Sequence, residues 1–302
     1  MEHFKLDILK EALPYIQKFK KKIFVIKLSG KVAASEEALS SLAQEIGLLH
    51  QVGFFPVIIH GGGVQVNELA ERLGIEQKII NGRRVTDAQT LDLAKMVFNG
   101  LINTNITSSL RGLGIPVVGL SGLDGQMIQA RKRDPKMVID QSNSEEIEVD
   151  YGFVGDITAV DCQIIRLLLS KGYVPVISSL GSDREGTVYN INADTVAVEI
   201  AAGLDAEKMI FLTDLNGVFR DINDAGSKID QINMEEAQDL MDEGIIRDGM
   251  VPKFMAILQM LRSGVASAHI VGAFEDNALL KEIFTNQGIG TMIVNQEIEG
   301  KL

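Results

Sequence analysis

Apolar positions along this chain fall into two spacings, and their succession predicts the elements. Short runs rich in β-branched residues, at 23–28, 54–59, 115–120, 174–177, 208–213, 269–271 and 291–294, read as buried strands. A further short strand is predicted at 188–191. Between these runs the apolar residues recur at helical spacing. Val66, Leu69, Ala70 and Leu73 follow this spacing, with Gly74 as the stop. Another helix starts at Ser35, with Glu36 and Glu37 in its first turn, and runs to Gly53. Residues 88–112 read as a long helix bent at Gly100 and capped by Thr86 or Asp87; others are predicted at 164–169, 195–202, 234–243 and 277–285, and one begins near 250. Between 126 and 158 the runs become short, alternating and charged, and predict hairpins projecting from the sheet. Strands alternating with helices throughout imply an α/β fold, a three-layer α/β/α sandwich with a mostly parallel central sheet. Residues 1–22 stand outside this rhythm. Ile8, Leu9, Leu13, Ile16 and Phe19 share one side of an amphipathic helix, which Pro14 should kink or restart. That stripe either packs on the body or joins another subunit.

Composition narrows the partners. At 302 residues the chain makes one large domain or two lobes, and its 46% hydrophobic content is ample for a core. A net charge of −12 argues against nucleic acid or an anionic membrane as partner. It leaves room for an anionic small molecule, because local lysines and arginines set the field inside a site. A single cysteine, Cys162, excludes an internal disulfide framework, fits a reducing compartment and reads as core packing. No apolar run reaches the roughly 18 residues that span a bilayer. The charged, amphipathic start differs from a secretory signal, so a cytoplasmic location is expected.

Candidate chemistry collects at the strand ends. Gly61, Gly62 and Gly63 join a buried strand to a helix, where backbone amides can approach an anion. A bare left-handed turn reads the same way. Lys27 lies near the end of an otherwise apolar strand, and a buried lysine needs a partner. A lysine reaching solvent from the strand tip is the alternative. In Asn81-Gly82-Arg83-Arg84-Val85-Thr86-Asp87, the arginines suit either a bidentate carboxylate clamp or a solvated pair. Open α/β sheets bind ligands beyond the carboxyl ends of their strands. That rule aligns Lys27, the three glycines, Asn190, Asp194, Thr213 and Asp214 along one edge. Such a set suits phosphoryl transfer, where catalysis is mostly positioning and charge neutralisation. The chain has no Walker-type loop, protein-kinase motif set, spaced dinucleotide fingerprint or Gly-x-Ser-x-Gly elbow. His3, His50, His60 and His269 lack paired zinc spacing.

Nine motifs taken in order resemble the amino-acid kinase superfamily and, within it, the acetylglutamate kinases. They begin with Ile26-Lys27-Leu28-Ser29-Gly30, Ile59-His60-Gly61-Gly62-Gly63 and the arginine turn at 81–87. Val118-Gly119-Leu120-Ser121-Gly122, Gly152-Phe153-Val154-Gly155-Asp156 and Tyr189-Asn190-Ile191-Asn192-Ala193-Asp194 follow. Leu212-Thr213-Asp214, Gly249-Met250-Val251-Pro252-Lys253 and Gly290-Thr291-Met292-Ile293 complete the series.

This resemblance implies phosphorylation of the side-chain carboxylate of N-acetyl-L-glutamate by ATP, with Mg2+ carried on the nucleotide, in arginine biosynthesis. By the same motifs, Lys27 and Lys253 would stabilise the transferring phosphoryl and Asp194 would hold both. Gly62, Gly63, Arg84, Asn190 and Asn192 would bind the acceptor. Gly30, Gly61, Thr213, Asp214, Gly217, Gly249 and Met250 would bind the nucleotide. The implied layout is an N-terminal oligomerisation helix at 1–22, an acceptor lobe at 23–178 and a nucleotide lobe at 179–302. The implied assembly is a homo-oligomer, a dimer or a trimer of dimers. Two features depart from the pattern: Ser29 stands where the family usually has glycine, and the turn after His269-Ile270-Val271 reads Gly272-Ala273-Phe274. Two rival readings stay open, a regulatory module similar to the kinase-like domain of acetylglutamate synthase and a kinase for another acylated acidic amino acid. The chain is expected to leave no room for the synthase's acetyltransferase domain.

Overall fold

The central strands alternate their burial between two separate cores. The computed structural model describes residues 2–80, 83–139, 146–247, 250–285 and 288–295. In β1 (Ile23–Leu28), Phe24, Ile26 and Leu28 enter one core and Val25 the other. β2 (Phe55–His60) splits in the same way, with Ile58 on one face and Val57 and Ile59 on the opposite one. This period of two places Lys27 on the Val25 face. The remaining strands of the sheet are β3 (Val117–Ser121), β4 (Val174–Ser178), β5 (Lys208–Thr213), β6 (Gln231–Asn233), β7 (Ser267–Gly272) and β8 (Thr291–Val294). Among the described residues they form one eight-stranded sheet in the order β6-β8-β7-β5-β1-β2-β4-β3. β3, β4, β2, β1, β5 and β7 run parallel, while β8 turns antiparallel to β7. The three-layer, mostly parallel architecture read from the sequence is the one observed.

Helices cover both faces, which is why the inner strands carry apolar residues on both. Glu36–Gln51, Gly63–Leu73, Asn103–Gly112 and Ala278–Phe284 build the core around Ile26 and Ile58. Gln163–Ser170, Ala193–Gly203, Met234–Asp242 and Met250–Arg262 build the other, around Val25 and Phe211. From β1 the chain winds to β2 on one side and later returns to β5 on the other. The crevice beyond the carboxyl ends of β5, β1 and β2 is therefore a topological switch point, the expected place for a ligand. The hairpin region of the sequence reading divides between a smaller four-stranded sheet, ordered Val188–Asn190, Leu180–Ser182, Ile128–Lys132, Gly155–Val160, and a separate two-stranded one, Lys136–Ile139 with Glu146–Val149.

Two local expectations change in detail. Helix Glu2–Phe19 continues through Pro14 without a restart, and Pro14 is exposed. Its C-terminal half packs on the body, where Phe19 meets Phe24 and Phe54 edge-on at 5.4 and 5.9 Å. The bend expected at Gly100 is a π-helical turn, Met96–Ile102, between Ala88–Lys95 and Asn103–Gly112. Asp87 rather than Thr86 caps the first of these helices, accepting from Thr90 N–H at 2.7 Å. No helix among the described residues is long and apolar enough to cross a membrane.

Candidate active site

Lys27 reaches the crevice from β1 and finds its partner on the next layer. Asn192 caps helix Ala193–Gly203 by accepting from Asp194 N–H at 2.8 Å, which sets Asp194 in the first helical turn. Asp194 Oδ1 then lies 2.7 Å from Lys27 Nζ, and Oδ2 accepts from Lys253 Nζ at 2.7 Å. Lys253 stands in the opening turns of helix Met250–Arg262, with its ammonium 4.5 Å from the centre of the Phe211 ring. Phe211 is the register partner of Lys27 on β5, so the cluster sits astride the β1–β5 pair. The three side chains are 13–18% exposed. Burial favours a neutral Asp194, but the two ammonium groups overrule it and hold the carboxyl well below the usual carboxylate range. Burial also pulls Lys253 below its ordinary value, a shift that Asp194 opposes. Two ammonium groups around one carboxylate leave the site net positive inside an acidic protein.

The glycine turn bounds the same cavity, of about 230 Å³. Lys27, Gly30, Gly61, Gly62, Gly63, Arg84, Asn190, Asn192 and Asp194 all line it. None of the three consecutive glycines lies in the left-handed region, so the bare left-handed turn is not what they form. Gly62 is required by packing instead. A Cβ there would stand 2.3 Å from Ile102 Cδ1 and 2.8 Å from Phe98 Cδ1, both on the π-helical turn. Gln65 donates from Nε2 to the Gly30 carbonyl at 2.8 Å and so ties the two glycine-rich turns together. Beneath them His60 is fully buried; it donates from Nδ1 to Gly61 O at 2.9 Å and its Nε2 accepts from Asn103 at 3.2 Å. Burial lowers its pKa to about 4, which keeps the ring neutral.

Arg84 enters from the opposite wall. Its guanidinium donates to Gln77 Oε1 at 2.9 Å and to Gly63 O at 2.8 Å, which fixes its plane beside the glycine turn. A strap holds this wall in place: Thr86 N–H donates to Tyr151 O, Phe153 N–H to Thr86 O and Asn190 N–H to Phe153 O. Gly152 is indispensable to that strap. Its φ is 72°, and a Cβ would lie 2.3 Å from Thr86 O. Asn190 adds a side-chain bond to Thr86 Oγ1 at 3.2 Å.

The remaining candidates lie off the cavity. Thr213 ends β5 and Asp214 follows it, and Gly217, at φ 112°, docks its turn against Thr291. Met250 opens the helix that carries Lys253. Gly249 lies outside the described residues, as do Asn81 and Gly82 of the arginine turn. Ser29 caps the short helix Gly30–Ala34 through its hydroxyl, accepting from Val32 N–H at 3.3 Å. Its departure from glycine thus has a local structural use. Sequence reasoning missed Phe98, Ser179, Gln65 and Gln77. Ser179 was accessible from its place just beyond β4; Phe98 had only the bend at Gly100 as a signal. Each oxygen of Asp194 faces one lysine ammonium. No group of three or more His, Cys, Asp or Glu side chains among the described residues is arranged to hold a metal ion.

Fold and site together match a known class: residues 22–272 match the amino acid kinase family, and the chain belongs to it. Its similarity is more particular than that. It is 46% identical to the acetylglutamate kinase of Methanothermobacter thermautotrophicus over 288 residues, 95% of this chain and 98% of the relative. It is 45% identical to the acetylglutamate kinase of Methanocaldococcus jannaschii, over 96% of each chain. Among solved structures, N-acetylglutamate synthase from Neisseria gonorrhoeae, complexed with coenzyme A and N-acetyl-glutamate, superposes with a TM-score of 0.80 at 29% identity. That match covers 96% of this chain but 63% of the synthase, so the chain spans less than two thirds of the synthase's length.

Proposed function

We propose that this protein transfers the γ-phosphoryl group of MgATP to the side-chain carboxylate of N-acetyl-L-glutamate, giving an acyl phosphate and ADP in arginine biosynthesis. The observation that carries the reading is the Lys27–Asp194–Lys253 cluster beside a glycine-walled cavity that Arg84 also faces. It is supported by the near full-length similarity to acetylglutamate kinases.

In this reaction a carboxylate oxygen of the acceptor forms a bond to the γ-phosphorus while the bridging β–γ bond breaks and its electrons stay on ADP. Negative charge persists on the equatorial oxygens and grows on the leaving oxygen. Lys27 and Lys253 neutralise that charge, and Asp194 aims them. Because the ammonium groups are already ordered, they favour the transition state over bound substrates. Arg84 clamps the α-carboxylate, Asn190 and Asn192 meet the acetylamino group, and Gly62 and Gly63 bring backbone amides to the acceptor. Gly30, Gly61, Thr213, Asp214, Gly217, Gly249 and Met250 serve the nucleotide. Mg2+ belongs to the substrate, MgATP. In this reading residues 23–178 form the acceptor lobe, 179–302 the nucleotide lobe, and helix 1–22 joins copies into a homo-oligomer in the cytoplasm.

The synthase-like regulatory reading has less support, because the ion cluster suits phosphoryl transfer and a module that transfers nothing has no use for it. The deciding experiment is hydroxylamine trapping of the acyl phosphate, with MgATP and a panel of acidic amino acids and their N-acyl derivatives. Hydroxamate with N-acetylglutamate above all others is the expected result. Hydroxamate with a different acceptor reassigns the substrate, and none with any acceptor overturns the reading.

A further inference from the structure

Lys31 and Asp214 form an ion pair across the carboxyl ends of β1 and β5. These are the two strands beneath the catalytic cluster, where Lys27 pairs in register with Phe211. The ladder continues past the end of β1, as Ser29 N–H donates to Leu212 O at 2.9 Å. Two residues beyond each of these positions stand Lys31 and Asp214. The pair therefore lies over the same crevice as Lys27 and Lys253, farther out along it. Lys31 follows Gly30, which lines the cavity.

The pair is open to solutes, with side chains 65% and 35% exposed, and exposed pairs of this kind add little to stability. Asp214 has a second partner, since Thr213 Oγ1 donates to its other oxygen at 3.1 Å. It thus stays held if Lys31 departs. A phosphate carries more charge and more acceptor oxygens than a carboxylate, so it competes well for an ammonium. The side of the crevice also matters. β2 and β5 flank β1 on opposite sides; Arg84 bonds to Gly63, just after β2, whereas Asp214 follows β5. The acceptor wall and the Lys31 pair are thus on opposite flanks of Lys27. Inside the crevice, Asp194 already cancels one of the two inner ammonium charges, which leaves a polyphosphate under-neutralised.

We propose that Lys31 is a phosphate-binding residue for the nucleotide: its ammonium rests on Asp214 in the free protein and moves to the polyphosphate when nucleotide binds. This rests on the phosphoryl-transfer reading above and extends it to a residue that reading does not use.

Calorimetric titration of the full chain with AMP-PNP and Mg2+, and separately with adenosine, tests it. Lys31→Met should weaken AMP-PNP by about tenfold to a hundredfold, the range for a lost hydrogen bond to a charged group, and leave adenosine binding unchanged. Lys31→Arg, which keeps the charge, should retain most of the affinity. AMP-PNP binding by Lys31→Met at wild-type strength would overturn the inference alone. So would an equal loss for AMP-PNP and adenosine, which would make the pair a strap on the loop. If the wild-type protein bound no AMP-PNP, the phosphoryl-transfer reading would fall first and this inference with it.

Discussion

Lys253 donates to Asp194 at 2.7 Å from a helix that begins far along the chain from the strand of Lys27, yet both lysines share that one carboxylate. Lys27→Ala and Lys253→Ala should each lower kcat by about 10²–10³, or roughly 3–4 kcal/mol, with modest changes in KM. Asp194→Asn removes the charge that orients both, so combining the three should cost far less than the sum of the singles. Rates of ADP release from the single and combined variants measure this. A near wild-type kcat for Lys253→Ala would remove it from the reaction.

Arg84 is held by Gln77 and Gly63 before any acceptor arrives, so its plane is fixed in advance. Arg84→Lys keeps the charge but loses the planar fork. The expected signature in steady-state kinetics is a raised KM for the acetylated amino acid with the KM for ATP nearly unchanged. Equal losses for both substrates would give Arg84 a structural role instead.

Gly62→Ala tests whether the π-helical turn shapes the site. The new methyl would meet Ile102 and Phe98 far inside contact distance, and overpacking of this kind costs about 1–3 kcal/mol. Ile102→Val trims the atom it meets first. The double variant should therefore recover part of the lost activity and thermal stability. A Gly62→Ala protein with unchanged kinetics would show that the turn tolerates displacement.

Two buried histidines give the fold an acid-sensitive side. His60 and His269 are held near 4 by burial, against 6.5 when free. His269 lies between Glu282, 2.6 Å from Nδ1, and Lys208, 2.9 Å from Nε2, so a proton has no welcome on the Lys208 side. Between pH 6.5 and 4 the unfolded chain binds protons that the folded chain refuses, so stability falls as pH falls through that window. Each histidine contributes about 1.4 kcal/mol per pH unit at full effect. Urea unfolding at successive pH values should show this slope, and His269→Gln should make it shallower. An unchanged slope would place the titration elsewhere.

The stripe of Ile8, Leu9 and Leu13 precedes the part of the N-terminal helix that packs on the body. Phe19 lies in the core beside Phe24, so deletion past it would damage folding as well as any assembly. A chain beginning at Ala12 keeps Tyr15 and Phe19. Light scattering should find it smaller in assembly than the full chain. An unchanged assembly would assign those residues another use.

The sequence by itself determined the layers and the edge where chemistry collects. Strand and helix periods are local properties, readable from Val25, Ile26 and Lys27 or from Val66, Leu69 and Ala70 without knowledge of partners. The carboxyl-edge rule then put Lys27, the glycines and Asp194 on one side of the sheet. What the tertiary structure alone decided are the contacts made across the chain. Gly62 is needed because Phe98 and Ile102 press on it, not because of its own φ. Ser29 is tolerated because it caps the helix it starts, and Lys31 meets Asp214 because β5 returns beside β1. Periodicity reports which face a residue takes; it cannot report which distant residue occupies the space opposite, because packing and charge pairing are set by the whole fold.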